Sequence, residues 1–202
     1  SDQLVRLKCQ RHLFEIPEDV HYFNTAYMSP LLKTVVKEID RGVRMKSQPW
    51  NLKTSHFFDE VDESRQLFSR IMNCSSRNVA LIPSASYGIE TAAKNITLQP
   101  KDVVLILENQ FPSNVYAWER YAKIQGAEIK KVVSKPECSI TESILEKMDN
   151  SCAVVSIPQV LWTSGAFIDL SRIRKRCNQI NSKLVLDLTQ SAGVCDLDFS
   201  IL

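Results

Sequence analysis

The chain has 202 residues, 44% of them hydrophobic, and carries 25 basic against 23 acidic side chains, a formal net charge of +2. That length suits one sizeable domain or slightly more, and that composition excludes an intrinsically disordered chain. The near-balanced charge argues against nucleic acid or a membrane surface as a partner.

No apolar run approaches the roughly 20 residues that span a bilayer. The longest, residues 103–107, is strand-sized. The first residues lack the apolar core of a signal peptide. The 6 cysteines are scattered without zinc spacing, so no metal site is expected. Reduced thiols in a cytoplasmic protein follow as the expectation. Asn73-Cys74-Ser75 and Asn95-Ile96-Thr97 then match the glycosylation pattern by chance. Lys130-Lys131 and the basic run at 172–176 read as solvated faces.

In chain order, Leu4, Leu7, Leu13 and Phe14 suggest a short N-terminal helix. The aromatic stretch from His21 to Met28 is extended and ends in Ser29-Pro30, a helix-start signal. Helical spacing runs over 31–46 and is broken at Ser47-Gln48-Pro49-Trp50. A second helix is predicted from about 56 to 72, with Phe57, Val61, Leu67, Phe68 and Ile71 on its apolar face. From residue 77 short apolar runs alternate with amphipathic segments. Strands are predicted at 79–82, 103–107, 129–133, 153–157 and 184–186, and helices at about 87–97, 114–125, 140–148 and 170–180. That alternation predicts βαβ units, a mainly parallel sheet and an α/β fold of three α/β/α layers. A soft boundary near residue 55 separates an N-terminal segment, 1–55, from the larger domain, 56–202.

Open α/β sheets bind ligands beyond the C-terminal ends of their strands. After the first predicted strand come Ser84-Ala85-Ser86, leading into a helix whose N-terminus can hold an anion. Ordinary capping by Ser84 or Ser86 explains the same residues. The turn lacks the glycines of a Walker A loop or a dinucleotide fingerprint. Phe111 follows the second strand and is either a platform for a flat ring or a core residue. Gln159 follows the fourth and is either a donor to a ring or an amide that satisfies its own loop. Asp187 ends the fifth, with Gln190 just beyond; a carboxylate there needs a cationic or hydrogen-bonding partner. Together these features describe an anion at a helix N-terminus, a ring against Phe111 and a protonated ring atom facing Asp187. Pyridoxal 5'-phosphate satisfies all three.

The stretches Asp187-Leu188-Thr189-Gln190-Ser191-Ala192-Gly193 and Phe111-Pro112-Ser113-Asn114-Val115-Tyr116-Ala117-Trp118 carry a family resemblance. So does Tyr22-Phe23-Asn24-Thr25-Ala26. The chain resembles the class V aminotransferase group of fold-type I pyridoxal-phosphate enzymes, which includes cysteine desulfurases, kynureninases and isopenicillin-epimerase-like proteins. The resemblance implies that Asp187 pairs with the pyridine nitrogen. It implies that Gln190 and Gln159 approach the ring's phenolic oxygen, that Ala85 and Ser86 cradle the phosphate, and that Phe111 stacks on the ring. Asn24 falls in a segment that approaches an amino-acid substrate. A homodimer is implied for the full-length form.

Many desulfurases have histidine at the stacking position; Phe111 cannot move a proton, which favours a transaminase, an epimerase or a kynureninase-like lyase. The family's Schiff-base lysine falls about two dozen residues after the aspartate, beyond Leu202. The expectation is therefore the large-domain portion of such an enzyme, incomplete at its C-terminus and inactive alone. The alternative is a non-catalytic short paralogue that at most binds the cofactor or a partner subunit. The same incompleteness implies exposed apolar surface and poor solubility.

Overall fold

An extended run becomes a strand only when a neighbour takes its backbone hydrogen bonds, and among the described residues four runs form such ladders. The computed structural model describes residues 8–200. Strands β1 (Val103–Leu107), β2 (Glu128–Val132), β3 (Cys152–Pro158) and β4 (Lys183–Asp187) form one sheet in the order β2-β1-β3-β4, with every pairing parallel. The strand expected over 79–82 does not form; these residues lie outside any helix or ladder, and Leu81 and Ile82 are exposed. Both sides of β1 and β3 are occupied, so among the described strands only the outer edges of β2 and β4 are open, and this run pairs with neither.

Side chains alternate across a strand, and β1 uses both faces for burial. Leu105 and Leu107 join one apolar cluster with Ile144, Ile157 and Ile173. Val104 and Ile106 join another with Ala93, Trp118 and Val154. Helices α5 (Ile140–Lys147) and α6 (Leu170–Ile180) supply residues to the first cluster, and α3 (Ala85–Asn95) and α4 (Tyr116–Gln125) to the second. The sheet is thus covered on both faces, which is the three-layer arrangement expected. Burial on both faces explains why β1 and β3 read as nearly unbroken apolar runs.

Helix limits follow local chemistry. Ser84, Ser139 and Asp169 each accept a backbone N–H from the first turn of α3, α5 and α6. The Ser84 cap starts α3 at Ala85, two residues before its predicted start. At the other end, α4 stops at Gly126, whose φ of 71° suits a residue without a Cβ.

The chain divides into two compact units, residues 1–60 and 61–202. In the first, α1 (Lys33–Ser47) starts later than Ser29-Pro30 signals. Leu32 forms an antiparallel bridge with Phe14, which keeps it extended and delays the helix. The N-terminal helix reduces to one 3-10 turn, Arg11–Leu13; Leu4 and Leu7 lie outside the described residues. Val36, Ile39 and Val43 of α1 are exposed. Arg41 bridges Glu38 and Glu60, and those bonds hold its guanidinium in the charged form. The predicted helix over 56–72 is interrupted: Thr54–Phe57 is a 3-10 turn and α2 is Asp59–Ile71. The apolar residues Phe57, Leu67, Phe68 and Ile71 remain exposed.

No described helix is long and apolar enough to cross a membrane. All 6 cysteines are unpaired; Cys9 is exposed, whereas Cys152 and Cys177 are buried. Burial pushes the Cys177 thiol up to about 11 and raises that of Cys152. The thiolate is the reactive form, so alkylation at pH 8 should mark Cys9 first and spare Cys152 and Cys177 until the fold opens. Peptide mass spectrometry after native and denaturing labelling measures this; native labelling of Cys177 at the Cys9 rate would contradict it.

Candidate functional site

Parallel pairing sends the C-terminal ends of all four strands to the same edge. Asp187, the last residue of β4, lies opposite Pro158, the last of β3, so Gln159 begins the loop beside it. Leu105 lies opposite Val155, so β1 and β3 end almost level. The loop after β1 then leads through Gln110 to Phe111, which starts a 3-10 turn, Pro112–Asn114.

Asp187 is half-buried. Its Oδ1 accepts the backbone N–H of Thr189 at 3.1 Å and the Thr189 hydroxyl at 2.6 Å. Both bonds fall on one oxygen, and Oδ2 accepts none among the described residues. Thr189 is therefore the local hydrogen-bonding partner that Asp187 required, one that sequence reasoning passed over. Gln190 follows in the same turn, and Gly193 closes it at φ 78°, the left-handed region that explains the glycine of the motif. Lys183 starts β4 and so lies at the opposite end from Asp187.

Ala85 and Ser86 form the first turn of α3. The Ser84 hydroxyl accepts from Tyr87 N–H at 3.2 Å, so Ser84 performs the capping and Ser86 does not. Ser86 and Phe111 line one cleft of about 410 Å³, together with Glu90, Ser113, Tyr116 and Arg120. At its rim, Glu90 takes the guanidinium of Arg120 and the Tyr121 hydroxyl, the latter at 3.2 Å.

Phe111 is not a core residue: it is 46% exposed. It meets Trp162 edge to face, with centroids 5.5 Å apart and planes at 85°. Trp162 in turn donates its Nε1–H to the carbonyl of Asn109 at 3.2 Å. Beneath this loop runs a buried polar cluster of Gln110, Asn114, Trp118 and Ser156. Its sequence signal is a lone serine inside an apolar strand together with the Asn-x-x-x-Trp spacing, which puts both side chains on one face of a helical turn.

Gln159 is 4% exposed, and its Oε1 has no hydrogen-bond partner. Its backbone carbonyl, by contrast, accepts Ile168 N–H at 2.8 Å, so the loop is held by the main chain rather than by the side-chain amide. Among the described residues, three of the four buried side-chain atoms without partners, on Ser113, Gln159 and Ser191, follow the ends of β1, β3 and β4. A buried polar atom left unpaired costs about 1–3 kcal/mol. Such atoms gathered at one sheet edge fit a polar ligand entering there.

The predicted residues therefore fall into two adjoining sets: Ser86 with Phe111 in the cleft, and Gln159 beside Asp187 at paired strand ends. Asn24 belongs to the other compact unit. Its carbonyl accepts Tyr27 N–H at 3.3 Å and the Tyr22 hydroxyl at 3.2 Å.

The family profile described as aminotransferase class-V matches residues 21–202. An uncharacterized aminotransferase of Schizosaccharomyces pombe is 23% identical over 98% of this chain and 51% of its own length. A probable cysteine desulfurase of Mycoplasma genitalium is 24% identical over 69% of this chain and 35% of its own. A kynureninase of Bacillus thuringiensis is 26% identical over 51% of this chain and 28% of its own. The chain thus spans about half the length, or less, of these curated relatives.

Among solved structures, a C-DES mutant with glycine covalently linked to its pyridoxal-phosphate cofactor superposes with a TM-score of 0.84 at 17% identity. It matches 96% of this chain and 53% of that one. The apo cysteine desulfurase of Thermococcus onnurineus NA1 gives 0.82 at 18%, over 95% and 50%. These likenesses show that the α/β fold is the one found in those enzymes.

Removing the Ser84 hydroxyl frees the first turn that carries Ala85 and Ser86. Ser84→Ala should cost about 1 kcal/mol of stability. Urea denaturation measures it, and an unchanged midpoint would show that the cap contributes nothing.

Proposed function

We propose, from the premise that this chain belongs to the class-V aminotransferase family, that it forms the cofactor-binding part of a pyridoxal-phosphate enzyme acting on an amino acid. The observation that carries the reading is the alignment of Asp187, Gln159 and Phe111 at one edge of a parallel sheet, beyond the ends of three strands. The buried amide of Gln159, whose Oε1 has no partner within the chain, supports the fit: a polar ligand at this edge meets it, and its N–H group can donate to the ring's phenolic oxygen.

In this reading the free N–H groups at the start of α3, with the Ser86 hydroxyl, bind the phosphate. Phe111 covers one face of the ring and excludes water from it. Thr189 occupies Oδ1 of Asp187, which leaves Oδ2 to accept the ring N–H and hold the proton on that nitrogen. Gln190 and Gln159 orient the ring through its phenolic oxygen. When bound, pyridoxal phosphate supplies an electron sink whose strength depends on that protonated nitrogen. The catalytic contribution proposed for this chain is therefore the carboxylate at 187, with the other groups fixing the ring against it.

Phe111 has no titratable group, so the residue against the ring cannot carry a proton between substrate and solvent. That favours a transaminase, an epimerase or a kynureninase-like lyase over a desulfurase. Asn24, proposed to approach the substrate, and assembly as a homodimer complete the reading.

Asp187→Ala in the protein made from its complete reading frame should lower turnover about 10²-fold or more, because charge stabilisation at the reacting system is lost. It should also weaken pyridoxal-phosphate binding about tenfold, the scale of a hydrogen bond to a charged group. Steady-state kinetics and absorbance titration measure the two effects. Wild-type rate and affinity in that variant would remove Asp187 from the mechanism. Thr189→Val keeps the side-chain shape but removes the hydroxyl donor; it should reduce affinity by a smaller factor, and a loss as large as that of Asp187→Ala would contradict a purely orienting role.

A further inference from the structure

Ser156 is the one polar residue within β3, and it is fully buried. Its hydroxyl donates to Asn114 Oδ1 at 2.6 Å and accepts Trp118 Nε1–H at 2.8 Å. The indole N–H also lies 3.3 Å from Asn114 Oδ1. Gln110 Nε2 donates to the Asn114 carbonyl at 2.6 Å, and Asn114 Nδ2 lies 3.4 Å from Gln110 Oε1. Asn114 N–H donates to the carbonyl of Phe111 at 3.0 Å.

The two residues that clasp each other, 110 and 114, enclose Phe111. The clasp is bolted to β3 through Ser156 and to α4 through Trp118. A buried indole N–H needs only one acceptor. Gln110, Asn114 and Ser156 are three further polar side chains in places where apolar ones would avoid desolvation. Fully bonded buried networks of this kind fix one geometry at the cost of that desolvation. The cluster reaches Phe111 through its backbone carbonyl, while the side chain is half-exposed and meets the Trp162 ring edge-on.

We propose that Ser156, Asn114 and Gln110 are positioning residues that set the height and tilt of the Phe111 ring at the cofactor site. The inference rests on the reading of Phe111 as the residue that stacks on the cofactor. It makes β3 contribute twice: Gln159 at its end approaches the ring directly, while Ser156 inside it holds the opposing platform.

The test uses the protein from its complete reading frame with Ser156→Ala, which removes the bonds to Asn114 and Trp118, and the volume-conserving Gln110→Met, which removes both contacts with Asn114. Ser143→Ala is the control: Ser143 is a buried serine on α5 whose hydroxyl donates to Ser139 O at 3.3 Å, away from this loop. Three quantities are read: amide hydrogen exchange over 109–115, the Kd for pyridoxal phosphate, and the circular dichroism induced in the bound cofactor, which reports how its ring is held. Ser156→Ala and Gln110→Met should each speed exchange over 109–115 and raise the Kd about tenfold, with a weakened induced signal. Ser143→Ala should change none of the three. Unchanged exchange in both loop variants, or an equal loss in the control, would overturn the proposal. Faster exchange with unchanged binding and dichroism would also overturn it, by separating the loop from the cofactor. If the unsubstituted protein binds no pyridoxal phosphate, it is the proposed function that fails, an outcome distinct from the others.

Discussion

Parallel pairing is the constraint on which the site depends. In an antiparallel sheet the residues after β1, β3 and β4 would be divided between two edges. Here the pairing is parallel throughout, so Phe111, Gln159 and Asp187 share one edge although they are far apart in sequence. The pairing is maintained by burial on both faces: Leu105 and Val104 are each inaccessible, and they point into different clusters. The α/β/α layering is therefore a condition of the site, because neither helical layer can be removed without exposing a face of the strands that aim these residues.

The polar atoms divide into those the fold satisfies and those it leaves open. Asp187 Oδ1, the Ser84 hydroxyl and the Gln110–Asn114–Ser156 cluster are bonded within the chain, and each holds a piece of backbone beside the strand ends. Gln159 Oε1 and the Ser113 and Ser191 hydroxyls are buried without partners. Satisfied groups give rigidity; unsatisfied ones mark where a ligand recovers the desolvation cost. In the proposed reading these groups are oriented before the ligand arrives, which reduces the ordering needed on binding.

Much of this was legible in the sequence because local chemistry and tertiary structure agree. Strands 103–107 and 153–157 are apolar runs that could be buried only on two faces, and both formed at nearly those limits. Asp187 and Gln159 were recognisable as polar residues at the ends of such runs. What was not legible depended on partners. The run at 79–82 has the composition of a strand, but pairing is a property of two segments, and no described strand pairs with it. The same holds for α1, whose start moved because Leu32 bridges Phe14. Thr189 escaped notice because nothing in composition distinguishes a threonine that orients a carboxylate from one in an ordinary turn. Ser156 carried a signal, a hydroxyl in an apolar strand, whose meaning required knowing that Trp118 and Asn114 lie beside it.

The central claim is that the edge formed by β1, β3 and β4 receives a pyridoxal-phosphate ring against Phe111 with its nitrogen at Asp187. A crystal structure of the protein from its complete reading frame, grown with pyridoxal phosphate, tests this most directly. The account predicts density for the ring over Phe111, its nitrogen within hydrogen-bond distance of Asp187 Oδ2, and the phosphate at the first turn of α3. A cofactor bound elsewhere, or bound here with the ring nitrogen turned away from Asp187, would contradict it.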